Sequence, residues 1–298
     1  MAAKILITGA TGAVGRELVR ELVQRGKNVR CGIHQHQKSE YIKMTGVEGV
    51  SLEYGDFATI DRALQEIETI FLLMPFAREQ VEYARRMIDR AALYGVNHVV
   101  YVSMLGAQEY PGTSFTRWHY RIEKYLEKSS IPYTILRPNM YMQNFVRYVQ
   151  PSGSFIYLPL NSARVSYIDV RDVASVAAEI ILAQKEHFGN TYELTGPDSL
   201  TLDDIADILT SVIGTHIGYI NISTETARHI METLGTPQWM AEGMLELYSL
   251  QRAGKQSNVS DITEQITNRK PNNFEQFARD YSTIFKAIIE HEHHIKIR

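Results

Sequence analysis

Short apolar runs alternate with segments whose apolar residues recur every three or four positions. The runs Lys4 to Thr8, Asn28 to Ile33, Val50 to Tyr54, Ile70 to Leu73, Val99 to Val102 and Tyr133 to Leu136 predict strands. Between the first two, Leu18, Val19, Leu22 and Val23 mark one helix face, with Gly26 where the helix should end. Val81, Ala84, Ile88, Ala91 and Ala92, closed by Gly95, mark another before the fifth strand. Repeated strand–helix units predict a parallel sheet with helices on both faces, in the order 3-2-1-4-5-6.

After Leu136 this alternation stops, and Pro138, Pro151, Gly153 and Pro159 interrupt a stretch rich in Tyr, Met and Phe. Ile168 to Ala183 then predicts a strand end and a helix, and Thr191 to Leu194 a strand, both returning to the main sheet. Thr201, with Asp204 three residues on, predicts a capped helix that Gly214 ends. The expected organisation is a sheet domain over 1–150, rejoined by 168–196. A smaller, interleaved and mainly helical domain would cover 151–167 and 197–298.

Composition narrows the classes. At 298 residues the chain exceeds the size at which single cores usually stop growing. Its 44% hydrophobic and 22% charged residues are ordinary for a globular protein. A net charge of −3 with scattered Lys and Arg gives no basic stripe for nucleic acid. One cysteine, Cys31, excludes an internal disulfide and suits a reducing cytoplasm. Met1 to Lys4 leads straight into a strand without a secretory apolar region, and no later segment has a membrane span's run of apolar residues. A cytoplasmic, unanchored protein is expected.

The most informative motif is Thr8-Gly9-Ala10-Thr11-Gly12-Ala13-Val14-Gly15, set between the first strand and first helix. Glycines there let the backbone turn tightly and approach a pyrophosphate, while the helix N-terminus offers N–H groups and a favourable dipole. This context predicts an α/β, Rossmann-type doubly wound sheet binding a nicotinamide dinucleotide. An acid after the second strand would select NAD by accepting from the ribose 2′-OH, whereas a cation would select NADP. No Asp or Glu occurs from Val29 to Ser39, and His34, His36 and Lys38 follow the strand. NADP(H) is therefore expected, bound at least about tenfold more tightly than NAD(H). His34 would help most when protonated. The three could equally be solvated loop residues.

The T-G-A-T-G-x-x-G spacing, Gly55-Asp56-Phe57, Val102-Ser103 and Tyr133-Thr134-Ile135-Leu136-Arg137-Pro138 resemble the NmrA-like branch of the atypical short-chain dehydrogenases. Tyr141, Asn144, Arg171-Asp172-Val173-Ala174 and Thr191-Tyr192-Glu193-Leu194-Thr195-Gly196 extend the resemblance. The branch includes bacterial NAD(P)H:quinone oxidoreductases and triphenylmethane-dye reductases, and often carries Arg where this chain has His34. The resemblance implies hydride transfer from NADPH to a quinone or similar flat, electron-poor small molecule. A silent NADP-sensing regulator with a protein partner, or an epimerase or alcohol dehydrogenase, are the rival readings, and a homo-oligomer fits any of them. It further implies that Asp56 and Phe57 border the adenine and that Leu73, Met74 and Pro75 line the adenosine ribose and diphosphate side. Met140, Tyr141, Asn144 and Phe145 follow strand six, where an open sheet places its substrate. Capping, core packing and interdomain packing would account for the same residues.

Tyr120 and Lys124 match the Y-x-x-x-K proton-donating pair of many short-chain dehydrogenases. The resemblance argues against that register. The family's Glu before the Y-T-I-L-R-P strand falls on Glu123, which puts His119 at the superfamily's Lys position and Phe115 at its Tyr position. His119 could then bond the nicotinamide ribose or the acceptor oxygen, or be an inert helix-surface residue. Ser103 stands where the superfamily holds an orienting hydroxyl, or is a turn serine. Asp169 with Asp172, and Asp203 with Asp204, open predicted helices and read as caps. His291-Glu292-His293-His294 lacks metalloprotease spacing, so no metal is expected.

Overall fold

The computed structural model describes residues 4–34, 47–150 and 154–290. β1 (Lys4–Ile7), β2 (Asn28–Ile33), β3 (Glu48–Ser51), β4 (Ile67–Leu72), β5 (His98–Val102) and β6 (Tyr133–Pro138) pair in parallel in the order β3-β2-β1-β4-β5-β6. β9 (Thr191–Leu194) adds a seventh strand beside β6. All of β5 is buried, as a parallel strand covered on both faces should be. α1 (Ala13–Gln24) and α6 (Val170–Leu182) pack together, joined at their polar margin where Ser175 Oγ donates to Glu21 at 2.9 Å. α2 (Phe57–Leu64), α3 (Gln80–Leu93) and α4 (Ser114–Glu127) enclose Leu6, Ile70, Leu72, Val99, Tyr101 and Ile135. This is the expected Rossmann architecture.

The chain divides into a first unit of Met1–Pro138, Val170–Leu194 and Ile262–Arg269, and a second of Asn139–Asp169, Thr195–Asp261 and Lys270–Arg298. Apart from two-residue shifts at each end of the returning segment, two bounds differ from expectation. Residues 139–150 fall in the second unit because Met142, Phe145 and Val149 are core residues there. α10 (Ile262–Thr267) joins the first unit, where Arg269 after it bonds Ser175 and lies 3.7 Å from Asp172 on α6.

The second unit is built around Phe145, Tyr167, Leu209, Phe274 and Phe277. Its helices are α5 (Phe145–Tyr148), α7 (Leu202–Ile213), α8 (Thr224–Thr233), α9 (Gln238–Arg252), α11 (Phe274–Asp280) and α12 (Ser282–Glu290). Thr201 and Asp204 form the predicted reciprocal cap on α7. A small sheet of β7 (Val149–Gln150), β8 (Phe155–Leu158) and β10 (Gly218–Asn221) was not expected. Pro151, Gly153 and Pro159 interrupt the apolar pattern around β7 and β8.

Candidate dinucleotide site

The Thr8 hydroxyl accepts from Leu73 N at 2.8 Å and donates to Leu73 O at 2.9 Å, locking the ends of β1 and β4 side by side. The chain then turns through Gly9 at φ +64, and Gly12 N donates to Gly9 O at 2.9 Å. A Cβ on Gly15 would lie 2.2 Å from Gly9 O, so only glycine lets α1 start this close to the turn. Gly12 caps α1 without a side-chain hydrogen bond, and no acid occupies the first turn. The terminus keeps its N–H groups and positive dipole end for an anion.

This turn borders a cleft of about 440 Å³. Gly9, Thr11 and Gly12 line it together with Leu73, Met74, Pro75 and Ala77 and with Gly32, His34, Leu52, Glu53, Tyr54, Gly55 and Tyr83. The glycine cradle and uncapped terminus together fit a dinucleotide's pyrophosphate. Ala13 is exposed at the helix start, whereas Val14 and Gly15 are buried beneath the turn and support it rather than line the cleft.

Other expected contacts are placed differently. Asp56 accepts from Ala58 N at 2.9 Å and so caps α2. Phe57 is exposed, with the guanidiniums of Arg86 and Arg90 over its ring at 5.4 and 5.8 Å. Neither lines the cleft, because helix initiation at Asp56 carries both away; Tyr54 and Gly55 line it instead. His36 and Lys38 lie outside the described residues. His34 lies in the cleft, with Nδ1 2.6 Å from Glu53 Oε2. Glu53 carries no signal of this in the sequence, because it follows strand three rather than strand two. β3 pairs in parallel with β2, Ser51 beside Ile33, so the residues after each strand converge.

His119 is half-buried on α4, held at both ring nitrogens. Nδ1 lies 2.7 Å from the Tyr101 hydroxyl and Nε2 3.2 Å from Gln80 Nε2. With the Gln80 amide donating to Nε2, the ring proton sits on Nδ1 and is donated to the Tyr101 oxygen. Burial lowers the His119 pKa to about 4 and pushes that of Tyr101 well above 10. The pair is neutral at pH 7. Tyr101 and Gln80 were not foreseen, since a strand tyrosine and a helix-start glutamine read as packing.

Ser103 is buried and donates to Glu123 Oε1 at 2.5 Å. Arg137 Nε and Nη2 grip the same buried carboxylate at 2.9 and 2.6 Å. This cluster ties α4 to β6, and it commits the Ser103 hydroxyl to the protein interior rather than to a ligand. Lys124 Nζ donates to both Glu127 oxygens at 2.9 and 2.6 Å and lies 5.4 Å from the Tyr120 ring centre. The Glu127 hydrogen bond is the main cause of its raised pKa. Phe115 is buried and packs edge-on against Phe76 at 4.5 Å.

Comparison with known proteins matches residues 1–284 to the NmrA-like family. The chain belongs to that family. It is 29% identical to an NAD(P)H azoreductase of Xenophilus azovorans over 95% of this chain and 99% of that protein. It is 31% identical to the (4-alkanoyl-5-oxo-2,5-dihydrofuran-3-yl)methyl phosphate reductase of Streptomyces griseus, covering 94% and 99% of the two chains. The fold superposes on an NADPH-dependent quinone oxidoreductase of Escherichia coli complexed with NADPH, with a TM-score of 0.82, 23% identity and coverage of 93% and 99%.

Among the residues expected to meet an acceptor, Met140, Tyr141 and Asn144 are half-buried in the second unit. Phe145 is a correction. It is fully buried, making edge contacts with Tyr167 and Phe274 at ring distances of 5.0 and 5.1 Å, so it is core. Asp169 accepts from Gln143 Nε2 at 2.8 Å, and Asp172 lies in the first turn of α6. Among the described residues no cluster of three or more His, Cys, Asp or Glu could hold a metal, and no helix is long and apolar enough to cross a membrane. His291 to His294 lie outside the described residues.

Proposed function

We propose that this protein is an NADPH-dependent reductase that passes hydride to a quinone or a similar flat, electron-poor small molecule. The observation that carries the reading is the glycine turn against an uncapped helix terminus, bordering a cleft of about 440 Å³. Gly9, Thr11 and Gly12 would hold the pyrophosphate, Leu73, Met74 and Pro75 the adjoining ribose, and His34 the adenosine end. When bound, the nicotinamide supplies the hydride.

The chain's own groups favour an acceptor that needs little acid help. His119 and Tyr101 are neutral and resist ionisation, and Lys124 is paired with Glu127. Reduction of an isolated carbonyl to an alkoxide needs a positioned acid, whereas a quinone yields a delocalised anion that water can protonate. Azo groups and unsaturated oxo-dihydrofurans, named in two relatives, are likewise conjugated acceptors. His119 orients the nicotinamide ribose or the acceptor by exchanging its Gln80 contact for one to the ligand. Met140, Tyr141 and Asn144 are the second unit's proposed acceptor contacts. The lone, buried Cys31 suits work in the cytoplasm.

Steady-state NADPH oxidation with a panel of quinones, azo compounds and unsaturated lactones is the test. Acceptor-dependent turnover is expected. Binding of NADPH without turnover on any member would favour the sensor reading instead.

A further inference from the structure

The adenosine end of the cleft holds an acid and a base that together face whatever occupies it. Glu53 stands two residues beyond β3 and His34 directly after β2, with 2.6 Å between Oε2 and Nδ1. Both line the cleft. The Glu53 backbone is fixed on both sides of its Cα, because the Thr59 hydroxyl accepts from Glu53 N and donates to Glu53 O, each at 3.0 Å. Its side chain therefore starts from a rigid point and reaches toward His34.

The two side chains retain 40% and 67% of their exposure, so their pairing is a weak, solvent-screened contact that a ligand can reorganise. Neither is needed to hold the fold. Their placement matters more. In sheets of this type an acid at the end of the second strand accepts from the adenosine ribose hydroxyls and disfavours a 2′-phosphate. β2 carries no such acid in this chain, and parallel pairing with β3 brings Glu53 to the same end of the sheet.

Resting on the dinucleotide reading above, we propose that Glu53 is a specificity-determining residue that narrows this protein's preference for NADPH over NADH. Its carboxylate accepts from a free ribose 2′-OH and repels a 2′-phosphate. His34 opposes it by offering a donor to that phosphate. The balance of the pair sets the ratio of the two affinities, and the glycine cradle sets their common level.

Calorimetric titration of NADPH and NADH into wild-type protein, Glu53→Gln and His34→Ala reads this directly, without turnover. Glu53→Gln is expected to raise the ratio of the NADH to the NADPH dissociation constant at least about fivefold, mainly by tightening NADPH. His34→Ala is expected to lower that ratio. An unchanged ratio in Glu53→Gln, with both nucleotides still bound, overturns the role of Glu53 and leaves the dinucleotide site standing. Failure of wild-type protein to bind either nucleotide overturns both. Thermal unfolding of the free variants checks folding; with the pair mostly exposed, both should melt close to wild type.

Discussion

The Tyr101 hydroxyl lies 2.7 Å from Nδ1 of His119, joining the end of β5 to the middle of α4 inside the first unit. Burial keeps both groups neutral. An imidazole in this state can hold a hydrogen bond in one direction but offers no acidic proton at pH 7. His119→Ala should therefore lower kcat for quinone reduction about ten- to hundredfold. Tyr120→Phe and Lys124→Ala should remain within about twofold of wild type. Kinetics on the three variants check this, and a hundredfold loss in the latter two with His119→Ala unaffected would restore the Y-x-x-x-K dyad.

Glu123 and Arg137 form a buried, two-pronged pair that Ser103 completes. Replacing one partner leaves a charge or donor stranded. Glu123→Gln should cost about 3–5 kcal/mol of stability, read as a lower urea midpoint, whereas Ser103→Ala should cost about 1–2 kcal/mol. A Glu123→Gln midpoint equal to wild type would show that the cluster contributes nothing net.

His98 is fully buried on β5, bonded through Nε2 to Thr134 Oγ1 at 2.9 Å, and burial lowers its pKa from 6.5 to about 4. Above pH 6.5 it is neutral in both folded and unfolded chains and adds no pH dependence. As pH falls from 6.5 toward 4 the unfolded chain takes up the proton first, so stability drops, by about 3 kcal/mol from this residue once pH is below 4. His119 acts in the same direction. Urea midpoints between pH 7 and 4.5 should decline less steeply in His98→Gln than in wild type; parallel curves would contradict this.

Phe145→Ala removes the centre of the second unit's aromatic core and should cost about 3–5 kcal/mol. Its effect on turnover should follow the unfolded fraction, measured by circular dichroism at each assay temperature. A stable variant with a raised KM would return Phe145 to the acceptor site.

The glycine turn, the parallel order of β1 to β6 and the return of β9 were legible because each leaves a local signature: a strand–Gly–helix spacing, or an apolar run of a fixed period. What stayed hidden depends on long-range register. Glu53 meets His34 only because β3 lies beside β2, and Gln80 meets His119 only because α3 lies beside α4. Asp56 and Phe57 have a local role that their spacing does not announce. Their spacing suits an adenine contact, and in the fold Asp56 caps α2 while Phe57 is exposed. Phe145 reads as a flat apolar ligand surface in one dimension and as core in three.

The proposed reaction takes hydride from a dinucleotide held in the Gly9–Gly12 cleft. Single-turnover mixing of NADPH-loaded protein with a quinone, followed by the loss of reduced-nicotinamide absorbance, tests it most directly. About one equivalent should be oxidised per site, with a primary isotope effect when the transferred hydrogen is deuterium, and the signal should be lost in Gly15→Ala, whose Cβ would collide with Gly9 O. Bound NADPH that stays reduced with every acceptor, or an undiminished signal in correctly folded Gly15→Ala, would contradict it.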